Sequence, residues 1–307
     1  MVLSSTNRGQ HFNHEVWSQG YKETSYWLEG LSPLKEAIKL PPPTVDVAIV
    51  GSGYTGLNAA LQTSRGGRST VVLEAGDPGF GCSTKNGGQV STSIKPSLEK
   101  LSAKFGQEKG LAIRKEGENA LDWIEEFVTS EKIDCSFVRS GRYHAAHTQK
   151  HYEMITRDAE KLSRSEGVEA YAVPSSEQLK ELGSEVYHGG VVFPRHASLD
   201  PGKYHRGLLE CVVEAGVDVV GNCAVMDIEK VADGFVLTTP KGKVKARDVI
   251  VATNGYTTKL TPWLQRRVIP IGSYIIATEK LDPSLVETLF PTNRIASDTC
   301  KVVYYYR

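Results

Sequence analysis

The sequence predicts an α/β fold built on a parallel sheet, on three observations within residues 45–73. Val45, Val47, Ala48, Ile49 and Val50 form a short apolar run ending in glycine, as a strand buried on both faces does. Leu57, Ala60 and Leu61 recur at i, i+3 and i+4, which places a helix over 56–65 that Gly66 and Gly67 stop. A second apolar run over 70–73 follows, so strand, glycine turn, helix and strand make a βαβ unit of about thirty residues.

The remaining elements follow in order. A polar arm over 1–39 leads into Pro41-Pro42-Pro43, a stiff extended spacer. Past the βαβ unit, apolar periodicity predicts helices over 97–105, 111–129 and 149–165, with a strand over 136–145. Pro201 opens a helix to residue 214 that Gly216 closes, and 217–221 reads as a strand returning to the first sheet. The runs 225–230, 234–239 and 243–246 read as a β-meander, completed by an apolar strand over 248–253. Lys241, Lys243 and Lys245 alternate as on a solvated edge strand. Strand is predicted over 268–279, helix over 283–289 and strand from 296 to Arg307. On that last strand Tyr304 and Tyr306 share one face, and Tyr305 shares the other with Val303. With no closing helix or polar tail, the chain reads as truncated at its C-terminus.

The 307 residues correspond to roughly two domains. Lys+Arg and Asp+Glu both number 36, and zero net charge offers no basic field for a nucleic acid partner. A hydrophobic share of 40% with 23% charged residues belongs to a folded chain rather than a disordered one. Residues 1–20 lack the apolar centre of a secretory signal, and no run reaches the roughly eighteen apolar residues of a membrane span, so a cytoplasmic location is expected. Cys82, Cys135, Cys211, Cys223 and Cys300 are odd in number and contain no CxxC pair; they read as reduced thiols, and no metal is expected.

Gly51-Ser52-Gly53-Tyr54-Thr55-Gly56 matches GxGxxG between the first strand and its helix, the context of a Rossmann-like dinucleotide site. In that mechanism Gly51 permits the tight turn, Gly53 the close approach of pyrophosphate, and Gly56 the packing of helix on strand. Glu74 lies 18 residues after Gly56 at the end of the second strand, where a carboxylate accepts from ribose hydroxyls. Residues 76–89 hold five glycines, a density suited to backbone amides approaching a large cofactor. The segment Ile250 to Gly255 is a second buried strand running into a glycine turn. The fingerprint alone leaves NAD and FAD open. There is no second GxGxxG for a nicotinamide domain, so electrons are expected from a small substrate.

DVAIVGSGYTGLNAAL (46–61), VVLEA (71–75), GFGCSTKNGGQV (79–90) and VIVATNGY (249–256) together resemble the FAD-dependent D-amino-acid oxidase superfamily. Within it the chain looks most like the γ-glutamylputrescine oxidoreductase branch, which also shows Ser25-Tyr26-Trp27 and a segment like Pro270 to Tyr274. The resemblance spans about residues 25–307 and implies a Rossmann-like FAD-binding domain, 40–110 and 198–265, interleaved with a mixed-sheet α+β substrate domain, 111–197 and 266–307. It implies that Gly51, Gly53, Tyr54, Thr55 and Gly56 hold the pyrophosphate, and Glu74 with Ala75 the adenosine. Cys82, Ser83, Asn86, Gly87, Gly88 and Gln89 are implied along pyrophosphate and ring, Ala224 and Val225 at the adenine, and Thr253, Asn254 and Gly255 on the far side. Thr84 and Lys85 depart from the family's usual loop, and that loop has no histidine to tether the flavin, so non-covalent FAD is expected.

The implied activity is oxidation of a C–N bond in a small amine or amino acid resembling γ-glutamylputrescine, a step of polyamine catabolism. Hydride would pass to the flavin and water would hydrolyse the imine, with O2 one option as electron acceptor. Sarcosine, glycine or D-amino-acid oxidation, and an inactive flavin-domain fragment, are the competing readings. Gln89, His196, Tyr274 and Tyr305 are the catalytic candidates, although such chemistry requires no dedicated base.

Overall fold

The computed structural model describes residues 22, 24–31 and 40–307, so most of the arm expected over 1–39 lies outside the described residues. The chain runs β1 Thr44–Val50, α1 Tyr54–Arg65, β2 Thr70–Leu73, β3 Gln89–Val90, α2 Leu98–Phe105, α3 Gln107–Ser130 and β4 Arg142–Ala145. It continues α4 Gln149–Glu166, β5 Tyr171–Val173, β6 Gly190–Phe193, β7 Ala197–Ser198, α5 Pro201–Glu214, β8 Asp218–Val220, β9 Asp227–Val231 and β10 Gly234–Thr239. Last come β11 Gly242–Val251, α6 Pro262–Gln265, α7 Pro283–Leu289, β12 Ile295–Asp298 and β13 Tyr305–Tyr306.

A six-stranded sheet has the order β8-β2-β1-β11-β10-β9, parallel from β8 to β11 and antiparallel beyond. Ile49 stands opposite Val72 on one side and Ile250 on the other. Because successive strand residues face opposite ways, β1 serves two cores. Val47 and Ile49 pack with Leu57, Leu61, Leu208 and Val212 from α1 and α5. Ala48 and Val50 meet Val71, Leu237 and Val244 on the opposite face. A second sheet, β13-β12-β4-β6-β5, pairs β12 with β4 in parallel and is otherwise antiparallel, and β3 pairs with β7 in a two-stranded ribbon. The mixed α/β architecture is the predicted one.

Five expectations are corrected. The strands predicted over 243–246 and 248–253 are one strand, β11, whose first half pairs with β10 and whose second half pairs with β1. It is interior, so the lysine rhythm marks a solvated face and not a solvated edge: Val244 and Ala246 point into the core while Lys243 and Lys245 are exposed. The strand predicted over 136–145 shrinks to β4, because positive φ at Ser136 and Gly141 breaks the extended run. Residues 268–279 join none of the sheets, and Ile269, Ile271 and Ile276 are more than four-fifths exposed. Their β-branched composition suits a pleated surface, yet they pair with none of the edge strands β8, β9, β13 and β5. The strand predicted from 296 onward folds back between β12 and β13, and Asp298 Oδ1 holds the bend by accepting from Cys300 N and Tyr304 N, both at 3.1 Å.

The helix α3 reaches the first core at its C-terminal end. Its end, Phe127 and Val128, with Ile133 and Cys135 beyond, packs in the first core against Leu57 and Leu208 rather than in the second sheet's core.

Candidate functional site

Four parallel strands ending on one edge bring Gly51, Glu74, Ala252 and the turn after β8 side by side. Gly51 N donates to Leu73 O and Ala252 N to Val50 O, both at 2.9 Å. From β1 the chain passes to β2 on one side, while β11 lies on the other, so this edge holds the topological switch point where open α/β sheets bind ligands.

The glycines make that edge a close-packed turn. Gly51 has φ +104°, and a Cβ there would stand 2.7 Å from Ala252 O. A Cβ at Gly56 would overlap the Gly51 carbonyl, which lets α1 begin directly against β1. Among the described residues a Cβ at Gly53 would meet only Ser83 Oγ, at 3.0 Å, and none of their backbone closes over that residue. The first-turn amides of a helix have no partner within it and carry its positive dipole end. At α1 one of them, Tyr54 N, donates to Ser83 Oγ at 3.1 Å, bringing the 76–89 loop onto the helix mouth.

Glu74 is held in place by three donors. Its Oε2 accepts from Ser52 N at 2.8 Å and Ser52 Oγ at 2.7 Å, and its Oε1 accepts from Gly76 N at 3.1 Å. A carboxylate accepts about four bonds, so capacity remains for a ribose hydroxyl. Ser52 is buried, and its carbonyl lies 2.8 Å from His205 Nε2 on α5. Burial lowers the His205 pKa, so the neutral ring donates its Nε2–H to that carbonyl. Asn222 N and Cys223 N donate to Gly76 O and Glu74 O at 2.8 and 2.7 Å, which ties the approach to Ala224 and Val225 alongside Glu74 and Ala75. Ser52 and His205 were not singled out from the sequence. Ser52 occupies a variable position of the fingerprint, and His205 carries no local signal.

Within the loop, Asn86 braces its own backbone. Its Nδ2 donates to Cys82 O and Ser83 O at 3.1 Å, and its Oδ1 accepts from Gly88 N at 2.9 Å. Thr84 Oγ1 donates to Gly79 O. Gly88 has φ +65°, and a Cβ there would overlap Leu199 O, whereas Gly87 has room for one. Gln89 lies on β3 opposite Ser198. Cys82 is exposed with Sγ 3.1 Å from Tyr256 Oη, and this contact raises the Tyr256 pKa. Thr253 leads into a short 3-10 turn, Asn254–Tyr256, where Asn254 has φ +49° and Gly255 is exposed.

Among the described residues, three of the four catalytic candidates make no hydrogen bond to the cofactor residues named above. Tyr274 is 93% exposed in the unpaired 268–279 segment. Tyr305 points outward on β13 and Tyr304 is exposed beside it, while Tyr306 turns inward with its hydroxyl 2.5 Å from that of Tyr187. Tyr304 and Tyr306 therefore do not share an environment, because the strand containing Tyr306 is only two residues long. His196 is buried against Phe193, with Nε2 3.2 Å from Thr92 Oγ1, and burial pulls its pKa down to about 3. It lines a cavity of about 250 Å3 with Arg114, Glu118 and Glu166, and none of the cofactor residues named above borders that cavity. Among the described residues, no group of three or more His, Cys, Asp or Glu is placed to hold a metal, and no helix is long and apolar enough to cross a membrane.

Comparison with known proteins agrees with this geometry. The family model described as FAD dependent oxidoreductase (DAO) matches residues 46–307. Gamma-glutamylputrescine oxidoreductase of Escherichia coli is 30% identical over 265 residues, covering 86% of this chain and 62% of its own length. A probable oxidoreductase, OrdL, of Haemophilus influenzae is 27% identical over 292 residues, covering 92% and 67%. Among solved structures, glycine oxidase from Geobacillus kaustophilus superposes with a TM-score of 0.63 at 20% identity, over 73% of this chain and 59% of that one. L-amino acid deaminase from Proteus vulgaris gives 0.59 at 20% identity, over 72% and 50%. The chain thus spans 62–67% of the length of these two curated relatives. With the glycine turn, the switch point and the braced Glu74 all inside the matched region, the chain belongs to the DAO family of FAD-dependent oxidoreductases.

Proposed function

We propose that the chain binds FAD non-covalently at this edge and oxidises a C–N bond of a small amine or amino acid. The observation carrying this reading is the carboxylate of Glu74, braced at the end of β2 beside a glycine turn that Cβ atoms would close. Backbone at Gly51, Gly53, Tyr54, Thr55 and Gly56 would hold the pyrophosphate, Glu74 and Ala75 the adenosine, and Ala224 and Val225 the adenine. Cys82, Ser83, Asn86, Gly87, Gly88 and Gln89 would border the rest on one side, and Thr253, Asn254 and Gly255 on the other. The six-stranded sheet would then be the cofactor domain and the five-stranded sheet the substrate domain. When bound, the flavin supplies the electron sink. The chain's own residues bind, orient and exclude water, so a missing general base is no obstacle. A γ-glutamylated putrescine is the finest form of the reading, supported by the 30% identical relative named for that compound. A cytoplasmic location belongs to the same reading, supported by five free cysteines.

Glu74→Ala is expected to raise the FAD dissociation constant by about 10- to 150-fold, the loss of a hydrogen bond to a charged acceptor. Titration of apoprotein by flavin fluorescence measures it, and an unchanged constant removes Glu74 from the site. For the reaction, anaerobic mixing of FAD-loaded protein with putrescine derivatives, N-methyl amino acids and D-amino acids is expected to bleach the flavin with at least one amine. The bleaching rate should rise with pH, because the ammonium form must lose its proton before its carbon can release hydride. Bleaching by hydroxy acids or alcohols alone would overturn the C–N assignment.

A further inference from the structure

We propose that Ser25, Trp27 and Arg307 are positioning residues that clasp the 84–88 loop in the shape FAD requires. The proposal rests on the cofactor reading above.

The clasp acts on carbonyls of alternate residues. Ser25 Oγ donates to Thr84 O and Trp27 Nε1 donates to Asn86 O, each at 2.8 Å. Arg307 Nη1 donates to Leu199 O at 2.8 Å and reaches Gly88 O at 3.4 Å, while its guanidinium lies over the Trp27 ring, 4.8 Å from the centroid. Gly88 O also accepts from Leu199 N at 2.8 Å. Trp27 is itself seated on α5, since a Cβ at Gly202 would overlap the Trp27 carbonyl. The loop is therefore gripped from outside by segments 59 and 219 residues away in sequence, with α5 as the anvil.

Carbonyl oxygens carry partial negative charge, and one facing a pyrophosphate would repel it. A carbonyl engaged by Ser25, Trp27 or Arg307 is committed to a donor and turned away from that role. From the same loop, Ser83 reaches the mouth of α1 and Asn86 sets the turn into Gly88. The clasp thus decides which groups of the loop face the crevice, without any of the three residues being part of the glycine turn.

The test separates positioning from bulk stability. Trp27→Phe keeps an aromatic ring beneath Arg307 while removing the N–H donor together with the second ring; Ser25→Ala removes the hydroxyl alone. Each is expected to raise the FAD dissociation constant about fivefold, the loss of one ordinary hydrogen bond. The apoprotein's thermal midpoint should stay at the wild-type value, and amide hydrogen exchange over 84–88 should accelerate. Ser25→Thr, which retains the hydroxyl, is expected to bind FAD as the wild type does. If wild type binds FAD and Trp27→Phe binds it equally well, the clasp is wrong and the cofactor reading stands. A weakened affinity accompanied by an equally lowered apoprotein midpoint means a structural role only and also overturns it. If wild type takes up no FAD, the cofactor reading fails first and the clasp falls with it.

Discussion

Gly56→Ala is expected to abolish FAD retention and to destabilise the fold by about 1–3 kcal/mol, the usual cost of overpacking. The new Cβ would overlap Gly51 O and stand 3.0 Å from Gly51 C, both backbone atoms of the turn. Neither can swing aside as a side-chain tip would. The only relief is for α1 to move off β1, yet Leu57, Ala60 and Leu61 are fully buried against that sheet. Separation would open voids there and displace the helix mouth from the turn. Gly76→Ala is the matched control: it lies in the adjoining loop, a Cβ there meets no heavy atom of the described residues within 4 Å, and its φ is not positive. That variant should stay within about 0.5 kcal/mol of wild type and keep its flavin. Thermal unfolding and flavin content after dialysis check both. Gly56→Ala behaving like Gly76→Ala would contradict the close approach of helix and strand.

The second large effect is loss of stability in mild acid. Burial, with Arg142 adding repulsion, holds His144 at a pKa of about 4 and His196 at about 3. His144 Nδ1 pairs with buried Ser297 Oγ at 2.9 Å, and His196 Nδ1 has no hydrogen-bond partner among the described residues. Both pKa values are depressed, so the unfolded chain takes up protons first, from about pH 6.5 downward. The associated stability is fully present above that pH and drains as pH falls toward 4 and 3. Each histidine contributes up to about 1.4 kcal/mol per pH unit in this window, and the pair can cost on the order of several kcal/mol. Whole domains are stable by only about 5–15 kcal/mol, so this loss is a large share. Urea unfolding at a series of pH values from 7.5 to 4.5 should show falling stability, with a shallower slope in the His144→Asn/His196→Gln double variant. An unaltered slope in that variant would show that these histidines are not the source.

Local physics made part of this protein legible in its sequence. Val47 to Val50, the GxGxxG turn, the i, i+3, i+4 spacing of Leu57, Ala60 and Leu61, and the run 70–73 specify their own conformations over a few residues. The helix expected over 283–289 is α7, with Pro283 at its first turn. Gly56 was readable because its constraint comes from the adjoining strand and turn, and Gly51 because its own φ is positive, although the carbonyl that a Cβ there would meet belongs to the distant Ala252. Pairing is different, since a strand is defined by a neighbour distant in sequence. Residues 268–279 have the composition of a strand and join no sheet, whereas residues 242–251 pair with two different neighbours and so form one strand instead of two. Their lysines report a solvated face, which the sequence alone cannot distinguish from a solvated edge. The same limit applies to the site. Glu74 could be located from its spacing, but the contacts that brace it run through Ser52 to His205, a separation of 153 residues. The carbonyls of Thr84 and Asn86 find donors in Ser25 and Trp27, 59 residues upstream. The sequence determined where the backbone must turn and what charge stands beside the turn; only tertiary packing decided which distant side chains hold both still, because a hydrogen bond depends on distance in space and leaves no periodicity along the chain.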